Sequence, residues 1–210
     1  MSASMRSALS RELIARTALA LTDEVGLAGL SMRKLGNELG VEAMSLYHYV
    51  VNKDDLLDAV LDCLFDEIEL PVDVPDGDWE TAIRRGLRSF HDVLVNHQAA
   101  LELFAARPAK SRVALDVLVF SYGRLQSVGL DVEQACHALH FGVSFVMGHA
   151  ANELGSMAVG IQTEGLDPET LNDPVALAYL DARRRLTSTE MFDAGLETVV
   201  AGLRQFYGLP

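Results

Sequence analysis

The sequence predicts an all-α protein in which a small N-terminal group of short helices precedes a larger helical unit. Three observations predict it. Nearly every apolar pattern repeats at three- and four-residue intervals, capping residues stand where those patterns begin and end, and no apolar–polar alternation is long enough to propose a strand. Half of the 210 residues are apolar, enough to bury a sizeable core and to exclude a disordered chain.

Ile14, Ala18, Leu21 and Val25 share one face of a first helix that Ser10 can cap and Gly26 can end. Ser31 opens a short helix carrying Leu35 and Leu39, stopped by Gly40. With only Gly40 and Val41 to turn the chain, a second short helix follows over Ala43 to Tyr49, anchored by Leu46. Asn52 caps the fourth helix, whose first turn holds Asp54 and Asp55 where acids suit the helix dipole. Its apolar positions run from Leu56 through Phe65 to Ile68 and stop before Pro71. The stretch Pro71 to Asp78, with two prolines, a glycine and three aspartates, is the clearest break. Beyond it the spacing predicts helices near Trp79–Asn96, Gln98–Ala106, Ala109–Val128, Val132–Leu154, Pro174–Leu186 and Ser188–Tyr207. Asp131 with Gln134, and Thr187 with Glu190, form capping-box patterns. The segment from Gly155 to Asp173 reads as a long loop.

Charge is distributed unevenly. Lys plus Arg number 17 and Asp plus Glu 30, a net charge of −13 that argues against a sequence-blind polyanion coat. Up to Lys53, however, six basic residues face five acidic ones, leaving +1, whereas the remaining residues carry 11 and 25, leaving −14. Two cysteines, Cys63 and Cys136, are too few for a disulfide framework or a four-thiolate zinc site. The first nine residues hold one Arg and no apolar run, and no stretch approaches the roughly 18 apolar residues of a spanning helix. A cytoplasmic protein with no membrane partner is expected.

The run Ser31 to Lys53, SMRKLGNELGVEAMSLYHYVVNK, is the informative one. Two short helices joined by a glycine turn cannot build a core alone and must pack on the first helix. That is a helix-turn-helix, whose second helix is free to enter a major groove about 12 Å wide. Ser45, Tyr47, His48 and Tyr49 supply hydroxyls, a ring nitrogen and flat apolar surface, and Ala43 and Met44 permit close approach. Arg33, Lys34 and Lys53 flank them with charges for phosphates. Short helix pairs with glycine turns also occur in all-helical proteins that never meet DNA, so the pattern alone leaves both readings open.

The segment from about Ser10 to Leu70 closely resembles the DNA-binding domain of the tetracycline-repressor (TetR) family of transcriptional regulators. The resemblance rests on Val25-Gly26, Leu30 to Leu35, Leu39-Gly40-Val41, Ser45-Leu46-Tyr47-His48-Tyr49-Val50 and Asn52 to Leu57, at fixed spacing across several helices. It implies a homodimeric repressor in which an effector moves the fourth helix and pulls two reading heads out of register. The expected division is a helix-turn-helix DNA-binding domain over residues 1–55 and a helical effector-binding and dimerisation domain over 56–210. Carried over by position, Met32 and Arg33 stand at the groove edge, Ala43, Met44, Ser45 and His48 approach bases, and Tyr47, Tyr49 and Lys53 meet phosphates. Ala43-Met44 departs from the Gln-Pro of the tetracycline repressor itself, which implies a different operator. Its drug- and magnesium-contacting positions fall on Glu69, Gly86, Phe104 and Asn152, so tetracycline sensing is not expected.

In the larger unit His137, Phe141, Phe145 and His149 recur at intervals of four, a slowly drifting stripe. A cavity walled by Phe141 and Phe145, with Phe65, Phe90, Phe104 and Tyr122 as further walls, would suit a mostly apolar effector with one or two polar groups. Core or dimer packing is the competing reading for each. No Glu-x-x-His or His-Glu-x-x-His occurs, and the four-apart pairs Cys136/His140 and His149/Glu153 are isolated, so no metal and no cofactor are expected. Dimerisation is expected through the Val132–Leu154 and Ser188–Tyr207 helices, with Gly142, Gly148, Gly195 and Gly202 allowing close approach; two equivalent heads then call for a palindromic operator. Nucleotide-binding and nucleophile-elbow motifs are missing from the sequence, so an enzyme is not expected. The alternative is a helical dimeric small-molecule-binding protein or enzyme without specific DNA binding.

Overall fold

A computed structural model describes residues 9–97, 99–155 and 173–210, and among these it contains ten helices and no strand. They are α1 (Arg11–Gly29), α2 (Met32–Leu39), α3 (Ala43–Leu46), α4 (Lys53–Asp66), α5 (Trp79–Asn96), α6 (Ala100–Ala106), α7 (Arg112–Gln126), α8 (Val132–Glu153), α9 (Pro174–Arg185) and α10 (Ser188–Tyr207). None of them is long and apolar enough to cross a membrane. Most of the expected loop between Gly155 and Asp173, and Gln98 at the expected start of a helix, lie outside the described residues.

The helix starts follow capping chemistry. Ser10, Ser31, Asn52, Asp78 and Ser111 each accept a backbone N–H three residues on, and Asp131 and Thr187 complete reciprocal capping boxes. Ser111 also explains why α7 starts at Arg112 and not at Ala109: its hydroxyl satisfies the Ala114 N–H and fixes the first turn there. Gly26 breaks the regular run of α1 with φ 71°, as its position suggested, but one more turn reaches Gly29.

Ile14, Ala18, Leu35, Leu46, Val50 and Leu56 meet beneath the helix-turn-helix with no more than 1% exposure each. The same apolar core runs on through α4 into the body, where α5 packs against α7, α8 and α10. α4 therefore crosses the expected 55/56 boundary as one continuous helix. Arg107, at the end of α6, ties it down by donating to the Asp58 carboxylate and to the Asp54 carbonyl and carboxylate. At the head–body junction His97 lies between Asp23 of α1, 2.8 Å from Nδ1, and Glu67 after α4, 2.6 Å from Nε2.

Candidate functional site

The helix-turn-helix is held together at one tight point. Val41 N–H donates to the Gly36 carbonyl at 2.9 Å, and a Cβ on Gly36 would stand 2.9 Å from the Val41 oxygen and 3.1 Å from the Ala43 nitrogen. Only glycine lets α2 and α3 approach so closely. Gly40 supplies the left-handed turn between them, at φ 67°.

α3 ends sooner than its apolar spacing suggests. Beyond Leu46 the chain continues through Tyr49 in tighter turns, with Tyr47 N–H bonding to Met44 and Tyr49 N–H to Leu46. Arg11 and Asp55 impose this bend. Arg11 donates from Nη1 to the Tyr49 carbonyl and from Nη1 and Nη2 to the Asp55 carboxylate, at 2.9 and 2.6 Å, while that carboxylate accepts the Val51 N–H. Those bonds, the Arg11 contact foremost, hold the Asp55 carboxyl down to about pKa 2. Spacing marks Asp55 as a first-turn acid of α4 but not its pairing with Arg11, 44 positions away.

The bend leaves an exposed face of Met44, Tyr47, His48 and Tyr49, with Ala43 and Ser45 half-buried beside it; Met44 is 71% exposed. Arg33 is exposed at the edge of α2, whereas Met32 is half-buried and packs against the core. Lys53 reaches back, and its Nζ donates to the Leu30 carbonyl at 2.9 Å. Two of its three donors are left for other acceptors.

The body holds a partly open cavity of about 190 Å³. Phe65 of α4 and Ile68 just after it, Ile83 and Phe90 of α5, Phe104 of α6 and Val143 of α8 are among its walls. Phe104 receives Phe65 and Phe90 edge-on, with centroids 4.9 and 5.0 Å away. Ser121 and Arg124 of α7 are the polar residues of an otherwise apolar lining. The Arg124 guanidinium lies over the Phe120 ring and donates to the Val74 and Pro71 carbonyls and to Asp76.

The remaining residues of the aromatic set go elsewhere. Tyr122 donates its hydroxyl to the Val132 carbonyl, joining α7 to the start of α8. His137 and Phe141 face an outer groove with Gly202, Leu203, Phe206 and Tyr207 of α10. Phe145 and His149 pack with Phe192 of α10, against which His91 of α5 stacks at 4.1 Å. Burial first, and then the neighbouring His91, pulls His149 below the ordinary imidazole pKa. Four-residue steps advance about 40° around a helix, so one stripe meets different neighbours at its two ends.

Residues 14–60 match the model of bacterial regulatory proteins of the tetR family, and residues 70–207 match that of the tetracyclin repressor-like C-terminal domain. The chain belongs to the TetR family. Among its TetR relatives, the HTH-type transcriptional repressor DrrR1 of Streptomyces coeruleorubidus is 32% identical over 146 residues, covering 70% of this chain and 54% of that one. An HTH-type transcriptional regulator of Saccharopolyspora erythraea is 34% identical over 145 residues, covering 69% and 61%. The chain thus matches little more than half the length of each. The TetR protein ActR of Streptomyces coelicolor, solved in complex with actinorhodin, superposes with a TM-score of 0.79 at 27% identity, covering 96% of this chain and all of that one.

Proposed function

We propose that the chain is a cytoplasmic, homodimeric transcriptional repressor that reads a palindromic operator and is released by a small, mostly apolar effector. One observation carries this reading: α4 belongs to both sites. Lys53, at its first turn, lies in the head, and Phe65 and Ile68, at and just beyond its last turn, form a wall of the cavity. A molecule seated against Phe65, Ile68, Phe90 and Phe104 pushes on the end of α4, and the shared core with α1 carries the displacement to α2 and α3. Residues 1–55 are the reading unit and 56–210 the sensing and pairing unit, with α4 as the lever across the boundary.

In the head, Met32 and Arg33 stand at the groove edge, Ala43, Met44, Ser45 and His48 meet base edges, and Tyr47, Tyr49 and Lys53 meet phosphates. In the body, Phe65, Phe90 and Phe104 grip the effector, and Arg124 with Ser121 receives its polar group. The complex of ActR with actinorhodin supports a small-molecule effector. Pairing through α8 and α10 is supported by Phe206 and Phe141, 81% and 56% exposed, and by the open space beside Gly148 and Gly202. His137 lies in the same groove.

Filling the cavity tests the lever. Ser121→Phe places a ring inside it, and the expected outcome is a folded dimer whose affinity for a selected operator falls at least about tenfold, roughly 1.4 kcal/mol. A folded Ser121→Phe dimer with wild-type operator affinity would refute the coupling.

A further inference from the structure

Outside the cavity, three metal-ligating side chains from two helices converge. His91 comes from α5, while His149 and Glu153 stand one turn apart on α8, and one ligand atom of each lies within 4.8 Å of the other two. Nε2 of His91 is 3.1 Å, and Nε2 of His149 3.6 Å, from the same Oε2 of Glu153. Both imidazole side chains are about nine-tenths buried, and the carboxylate is two-thirds buried. Among the described residues the ion-pair partners of Glu153 are these two histidines, with no Lys or Arg. The Ser188 hydroxyl approaches the same His149 nitrogen at 3.2 Å.

Such crowding of nitrogens on one carboxylate oxygen exceeds what a single interhelical hydrogen bond requires. Its two separations to Glu153 Oε2 have the dimensions of a coordination shell, and the third is within 4.8 Å. Tetrahedral zinc with arms of about 2.0–2.1 Å separates its ligand atoms by about 3.4 Å, and the two observed separations bracket that value. Two imidazoles and one carboxylate form a zinc-type set, whereas calcium and magnesium take oxygen shells. The sequence shows only the His149/Glu153 half of the group, since His91 is contributed from 58 residues upstream.

We infer that His91, His149 and Glu153 bind one Zn²⁺ ion per chain, with water in the fourth position. The ion ties α5 to the last turn of α8, one residue before Leu154, which borders a cleft with Gly26, Leu27 and Ala28 of α1. The site thereby fixes the body beside the reading head.

The test is a titration of Co²⁺ into the full chain after removal of any tag and treatment with chelator. The expected result is the visible absorption of tetrahedral cobalt, saturating at one equivalent and displaced by Zn²⁺, with a Tm that rises on zinc addition. His149→Gln and Glu153→Gln should keep their helical signal and lose at least about tenfold in metal affinity. The proposal is overturned if the wild-type chain shows neither the bands nor the Tm shift, if both variants bind as the wild type does, or if a thiolate charge-transfer band places the ion on a cysteine. If a variant does not fold, the wild-type titration decides by itself.

Discussion

Arg33 and Lys53 are both cations of the head, but their surroundings assign them different work. Arg33 extends from α2 into solvent, while Lys53 already donates to the Leu30 carbonyl where α1 hands over to α2. Arg33→Ala is expected to weaken operator binding by about 1–3 kcal/mol and to relax preference at one base pair. Equal losses on specific and random duplexes in anisotropy titrations would contradict a base contact. Lys53→Ala is expected to reduce the salt slope of binding by about 1 and also to lower the melting temperature of the free protein. The first effect follows from the sequence, because a cation beside a reading helix suggests a phosphate. The second does not, since the Leu30 carbonyl that receives Lys53 is defined only once α1 and α4 have packed. Met32 shows the same limit: its position suggests the groove edge, while its packing against the core is a property of the folded head.

Among the elements, those whose boundaries depend on local chemistry were the most legible. Ser10, Ser31 and Asn52 cap the helices they were expected to cap. The end of α3 was less legible, because the Arg11–Asp55 clamp that bends the chain after Leu46 is nonlocal. The aromatic set divides for a similar reason. Spacing places Tyr122, His137 and Phe141 on helix faces but does not say which neighbour each face meets, and only Phe65, Phe90 and Phe104 of that set line the cavity. Two expectations belong to this scale. Gly36→Ala forces the Val41 carbonyl and Ala43 backbone apart and should destabilise the head by about 1–3 kcal/mol, read by chemical denaturation, with loss of operator binding. The junction should respond to pH through His97. Burial opposes its charged form, but Asp23 and then Glu67 outweigh that and raise its pKa. A raised folded pKa gives stabilisation that is complete below the unfolded value of about 6.5 and is lost as pH rises through the folded one. The stability difference between the wild type and His97→Gln should therefore shrink as pH rises above about 6.5. A difference that stays constant over this range would remove His97 from the junction's pH response.

Over the whole molecule, the net charge of −13 divides at Lys53 into +1 for the N-terminal stretch and −14 for the remainder. In the proposed repressor such an acidic body should be repelled by the DNA backbone, which would confine contact to the heads and keep nonspecific binding weak. In the proposed dimer, pairing through α8 and α10 makes the two heads one reading device. Phe206, in the outer groove with Phe141 and Gly202, is the point at which to break it. Phe206→Glu should shift the protein from dimer to monomer in light scattering and abolish cooperative binding to the two half-sites; an unaltered dimer would place the pairing surface elsewhere. The most direct measurement is selection of random duplexes by the wild-type chain followed by footprinting of the winners. A protected palindrome with half-sites one helical turn or more apart is the expected result. No specific site at low salt would contradict the assignment of the head as a DNA reader.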